Sequence, residues 1–228
     1  MTRVLERLLD GDPPAGGMLP REEAMADEYR ISRGVVRETM RALEERSVLA
    51  VKHGRGARVL PTSDWNVLDP DVMAAMLDAR DGDALLREIT EYRAMLAPRA
   101  ARLAAERRSD EDVEALRGAM QRMAEAAPAR PGRGRADERV AAEADFHRIL
   151  AAATGNRPLA RTLSALIDGL EQRGGLATRR EDGLDEHRRI LAAVRNRDAQ
   201  AAARSMRAHL EGATRQGEEA AGDRPAAG

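Results

Sequence analysis

Three of the four histidines in this 228-residue chain stand at helical spacing among apolar residues. Val140, Glu143, His147, Leu150 and Thr154 follow alternating steps of three and four, the period of one helix face. Leu184, His187, Leu191 and Val194 repeat the pattern, and so do Ala202, Met206, His209 and Ala213. In a fourth segment Leu86, Ile89, Arg93, Leu96, Ala100 and Leu103 put a guanidinium in the same kind of stripe. Burying an imidazole or a charge without a partner costs several kcal/mol. Four helices that each turn such a group inward therefore imply a shared partner, and a divalent metal is the economical one. Glu143 and His147 lie one turn apart and can ligate a single ion, with His187 and His209 adding imidazoles from two further helices. Three imidazoles and a carboxylate suit zinc, with nickel or manganese as alternatives, and leave one or two positions open. Each of these histidines alone reads as an ordinary hydrogen-bonded residue; their joint placement is what favours a metal.

A second chemistry sits near the amino terminus. Ser32 is suited to cap a helix in which Val36, Met40 and Leu43 form an apolar stripe, with Arg33, Arg37 and Arg41 in a parallel basic one. Arginine forks match the O6 and N7 acceptors of guanine, and free amides in a first helical turn can hold a phosphate. Taken by itself this is a surface helix with solvated arginines, but its flanks change the weighting. A short helix begins at Leu19-Pro20-Arg21-Glu22, and Tyr29-Arg30 makes a turn. Two strand-like runs, 48–51 and 57–60, flank Lys52-His53-Gly54-Arg55-Gly56, so the order reads as a winged helix-turn-helix. Residues 30–60 hold seven Arg, one Lys and three Glu in a chain of net charge −1, a local basic footprint for nucleic acid.

These residues resemble the GntR-type bacterial transcription regulators. That family's pattern, L-P-x-E, then S-R-x-x-V-R-x-x-L-x-x-L, then a wing ending G-x-G-x-x-V, stands here as 19–22, 32–43 and 54–59. The resemblance implies operator contacts from Ser32, Arg33, Gly34 and Arg37, with the wing tip His53, Gly54 and Arg55 at the minor groove and backbone. Gly34 and Glu23 depart from the residues common at their positions, which bears on the operator sequence. The carboxy-terminal part resembles the all-helical FCD ligand-binding domain of the FadR-type members. Its signatures are Glu143-Ala144-Asp145-Phe146-His147, Thr154-Gly155-Asn156, Glu186-His187 and His209-Leu210, with Glu143 where aspartate is usual. The resemblance implies that Arg93 and Asn156 hold an organic acid over the metal. Residues 65–72 also resemble the corresponding segment of regulators of sugar-acid catabolism such as galactonate.

The elements needed to position these groups follow from composition and breaks. The chain has no cysteine, 2% aromatics and abundant alanine and leucine, so its core must come from closely packed helices. No apolar run approaches a membrane span, and no signal peptide is evident, which points to the cytoplasm. Helices are expected near 2–9 and 22–28, from Asp69 to 79, and at 83–107, 110–126, 137–154, 158–173, 182–195 and 198–215. The expected fold is mainly α, a winged helix-turn-helix with a small β-hairpin followed by an all-helical bundle of six or seven helices. The expected domains are 1–60 for DNA, 61–82 as a linker with a short helix, 83–215 for effector, metal and dimerisation, and 216–228 as a disordered tail. The function expected is a homodimeric regulator, a repressor of catabolic genes, on palindromic operator DNA and controlled by a small carboxylate. The alternatives are a pure metal sensor, or a metal-dependent hydrolase using the open coordination position.

Overall fold

The computed structural model describes residues 1–52, 56–126, 133–172 and 182–222. They fall into two compact units, Met1–Leu85 and Leu86–Gly228.

The first unit contains α1 (Thr2–Leu9), α2 (Glu22–Tyr29) and α3 (Arg33–Glu45), then β1 (Leu49–Lys52), β2 (Gly56–Val59) and α4 (Pro70–Asp78). Ser32 starts α3 as expected, its hydroxyl accepting from the Val35 amide at 3.3 Å. Arg30 turns the chain out of α2 in the left-handed region, at φ 54°. The strands pair antiparallel with Leu49 opposite Val59 and Lys52 opposite Gly56. Along β2, Ala57 and Val59 face inward and Gly56 and Arg58 outward, the alternation a one-sided sheet requires. The 16–19 segment adds a short edge, with the Leu19 amide bonded to Ala57 O and the Val59 amide to Gly17 O, each at 2.9 Å. The expected wing-tip contacts His53, Gly54 and Arg55 lie outside the described residues.

Residues 61–82, expected as a linker, fold onto this unit. Trp65 is buried in the same core as Leu5, Val36, Leu43 and Val59, and Val72 and Ala75 of α4 join it. The indole nitrogen of Trp65 donates to Leu60 O at 2.9 Å. Asp69 caps α4 behind Pro70, accepting from the amides of Asp71 and Val72 at 3.1 and 3.3 Å. Arg46, at the end of α3, ties the two helices together through Asp69 Oδ1 at 2.9 Å and Asp71 Oδ2 at 3.1 Å.

α5 (Gly82–Arg107) begins at the end of the first unit and carries most of its length in the second. There follow α6 (Asp110–Glu125), α7 (Arg133–Ala152), α8 (Arg157–Gln172), α9 (Asp182–Arg195) and α10 (Ala199–Gly222). α7 packs on α6 and α8, and α9 on α6 and α10, around Leu116, Phe146, Ile167, Ile190 and Met206. Ser109 and Asp112 form a reciprocal capping box at the start of α6. Gly155, at φ +63°, makes the left-handed turn between α7 and α8. α10 continues to Gly222, so 216–222, expected as disordered tail, are helical; their alanine and glutamate favour the helix. No helix among the described residues is long and apolar enough to cross a membrane.

Candidate metal centre and nucleic-acid interface

The inward stripes meet. α7 supplies Glu143 and His147 one turn apart, α9 supplies His187 and α10 supplies His209; their exposures are 1%, 4%, 1% and 1%. One ligand atom from each lies within 4.8 Å of the others. The ring centroids of His187 and His209 are 4.4 Å apart, and that of His147 is 5.3 and 5.2 Å from them. His187 Nε2 is 3.9 Å from Glu143 Oε1. Phe146 packs edge-on to both His147 and His187 and keeps that side apolar.

Hydrogen bonds decide which nitrogens face the cluster. His187 Nδ1 lies 2.6 Å from Gly183 O. A carbonyl can only accept, so Nδ1 carries the proton and Nε2 keeps its lone pair. His209 Nδ1 donates to Glu186 Oε2 at 3.0 Å, which fixes the same tautomer. Among the described residues no hydrogen-bond partner reaches the buried Nε2 of His147 or His187. Unpartnered buried polar atoms are expensive, and here two ring nitrogens lie in one buried cluster with a carboxylate. That donor set fits a divalent ion of the zinc type, and Glu143, His147, His187 and His209 could hold one.

The electrostatics favour neutral imidazoles, the form in which histidine ligates. Burial pushes the pKa of His147 well down, helped by Arg93 and the two other rings. For His187, burial and then His209 lower the value to about 3 against the weaker pull of the Gly183 carbonyl. His209 is lowered by burial, and its bond to Glu186 opposes the shift. Arg93 on α5 is itself buried, at 6% exposure, and lowered to about 10 by desolvation despite the attraction of Glu143. Its Nη2 has no hydrogen-bond partner among the described residues. A buried guanidinium with a free donor, next to a candidate cation site, is suited to one carboxylate oxygen.

Two residues of the carboxy-terminal signatures fall outside the buried set. Asn156 is exposed, and its side-chain oxygen accepts from the Leu159 amide at 3.2 Å, capping α8. Its exposure keeps Asn156 out of the buried set. Asp145 faces a surface network with Arg122 at 2.9 Å and Arg148 at 3.4 Å.

In the first unit α3 presents Arg33, Arg37 and Arg41 to solvent, on the side away from buried Val36 and Leu43. Ser32 and Gly34 are exposed beside them. α2 answers with acids: Arg33 Nη1 is 2.8 Å from Glu23 Oε1, and Arg37 Nη1 is 3.9 Å from Glu22 Oε2. The helix thus has the exposed forked cations and capping hydroxyl that suit groove reading.

Residues 1–59 match the gntR family of bacterial regulatory proteins, and residues 88–212 match the FCD domain. This chain belongs to the GntR family, with an FCD domain. It is 28% identical to the galactonate operon transcriptional repressor of Escherichia coli, covering 92% of this chain and 91% of that protein. An HTH-type transcriptional regulator of Mycobacterium tuberculosis is 31% identical, over 92% of this chain and 84% of its own length. Among solved structures, Streptococcus agalactiae GntR superposes with a TM-score of 0.57 at 26% identity, over 94% of this chain and 96% of that one. The regulator is therefore a DNA-binding transcription factor and not the hydrolase that the open coordination position allowed. Two residues of the regulator stand out that spacing alone did not single out for a role. Val35 is 50% exposed between Arg33 and Arg37, an apolar side chain on the solvent side of α3. Glu186 had a signal, its place before His187, but its partner is on another helix.

Proposed function

We propose that this GntR-family regulator is a homodimeric repressor of catabolic genes, acting in the cytoplasm. In this reading it binds a palindromic operator through Ser32, Arg33, Gly34 and Arg37, with His53, Gly54 and Arg55 of the wing on the groove and backbone. Its operator binding is set by a small carboxylate, a hydroxy- or sugar-acid, taken up beside a divalent ion on Glu143, His147, His187 and His209. The observation that carries this reading is the buried Arg93 donor without a hydrogen-bond partner among the described residues, next to a buried cluster of Glu143 and three histidines, two of which hold their proton on Nδ1 and leave Nε2 bare. A divalent ion there would supply a Lewis-acid contact to a carboxylate or hydroxyl oxygen, with zinc best matched to the donors. Arg93 would hold the acid by a charge-assisted bond and set its orientation. The galactonate repressor among the relatives supports an acid of this class. A long acyl chain suits the site poorly, because a charged, ligand-rich floor offers nothing to a fatty tail.

The test is elemental analysis of gently purified protein. We expect about one divalent ion per chain, removed by a strong chelator with loss of thermal stability, as binding linkage requires. His147→Ala and His187→Ala each lower occupancy, whereas His53→Ala does not. Full occupancy in a triple variant of His147, His187 and His209 would remove the site from consideration.

A further inference from the structure

We propose that Glu186 is a positioning residue that orients His209 for metal binding; the proposal rests on the metal reading given above. Glu186 precedes His187 on α9, yet its bond crosses to α10, where Oε2 accepts from His209 Nδ1 at 3.0 Å. The histidine side chain is 1% exposed and the carboxylate 25% exposed. Glu186 also lines a surface hollow with Arg189, Arg204, Ser205 and Ala208. The carboxylate is thus partly open to solvent while it holds a buried ring. Because it can only accept, it pins the proton of His209 on Nδ1 and leaves the Nε2 lone pair free for a metal.

The surroundings make room for this bond. Gly212 lies three residues beyond His209 on α10, and a Cβ there would sit 3.2 Å from Glu186 Oε1. The α9 segment therefore orients two rings: its own His187 through the Gly183 carbonyl, and His209 of the neighbouring helix through Glu186. Outer partners of this kind fix the ring and raise its basicity toward the ion.

The experiment titrates cobalt(II) into metal-free, full-length protein and follows the visible absorption of the bound ion. Glu186→Ala is expected to weaken cobalt binding roughly 10–100-fold and to alter the ligand-field bands. Glu186→Gln, whose amide oxygen still accepts from Nδ1–H, is expected to bind close to wild type. Imidazole nitrogen NMR of the metal-free proteins supplies a second readout, with one His209 tautomer in wild type and a mixture in Glu186→Ala. Wild-type cobalt uptake combined with unchanged affinity, bands and tautomer in Glu186→Ala would overturn the positioning role alone. Wild-type protein that takes up no cobalt would overturn the metal centre and the proposal with it.

Discussion

His147, His187 and His209 are held neutral by burial, so they should make the metal-free protein sensitive to acid. Their folded-state pKa values lie below the ordinary histidine value near 6.5, for His187 at about 3. Above that ordinary value both folded and unfolded chains carry neutral rings, and these groups add no pH dependence. Between it and the folded value the unfolded chain binds more protons, so stability falls as pH falls through this window. Denaturant midpoints of chelator-treated protein should therefore be flat from about pH 8 to 7 and decline below about 6.5. A midpoint independent of pH across that range would contradict neutral burial. The grouping of these rings with Glu143 was legible because helical periodicity marks polar residues on greasy faces, and burial then forces such residues together. Asn156 stayed open, because an Asn after a helix-ending Gly reads equally as a ligand or as the cap it forms here. Glu186 was hidden for another reason: its bond spans 23 residues between two helices, and no single-helix period reports it.

At the scale of elements, the α2–α3 pair combines the proposed reading surface with its own counter-charges. The Arg33–Glu23 pair is about two-thirds exposed on both sides, and such ion pairs hold weakly in solution. Near DNA the balance changes, because Glu23 repels the phosphates that Arg33 approaches. Glu23→Ala should therefore bind both operator and scrambled duplex more tightly at low salt, an advantage that shrinks as salt rises. Arg37→Ala should instead cost about 1–3 kcal/mol on the cognate operator and relax specificity, as expected for a bidentate base contact. Fluorescence anisotropy with the two duplexes at two salt concentrations separates these effects. Unchanged operator affinity in Arg37→Ala would remove α3 as the reading helix, and unchanged low-salt affinity in Glu23→Ala would remove the masking role. α3 itself was legible from its cap and stripes, and most other helices from the same signals. The 61–82 segment reads as a linker with a short helix because its turn residues, Pro61 to Ser63 and Asn66 to Pro70, signal breaks; the helix is there, but its packing was not legible. What overrides them is burial: Trp65, Val72 and Ala75 are apolar surface that the small winged core can cover.

For the molecule as a whole, the proposed control requires that acid binding at the buried cluster reach operator affinity as a free-energy difference. The requirement is modest, since a coupling of about 1–3 kcal/mol already shifts affinity roughly 5–150-fold. An acid with equal affinity for the DNA-bound and free forms would shift nothing, however tightly it bound. Arg93 is the residue that separates acid sensing from metal sensing. It lies outside the four candidate ligands, so its loss should leave the metal in place, and it lies outside the winged unit, so operator binding should persist. Its buried Nη2 is free to take a carboxylate oxygen, so its loss should abolish the response to the acid. Arg93→Ala is therefore expected to keep wild-type metal content and operator affinity while the inducing acid no longer releases the DNA. Arg93→Lys, which keeps the charge but not the planar fork, should respond only at higher acid concentration. Metal analysis and operator titrations with and without a panel of hydroxy- and sugar-acids measure all three properties on one preparation. If Arg93→Ala released the operator at the same acid concentration as wild type, the carboxylate clamp would be wrong. Metal occupancy itself would then be the better account of how the carboxy-terminal unit controls DNA.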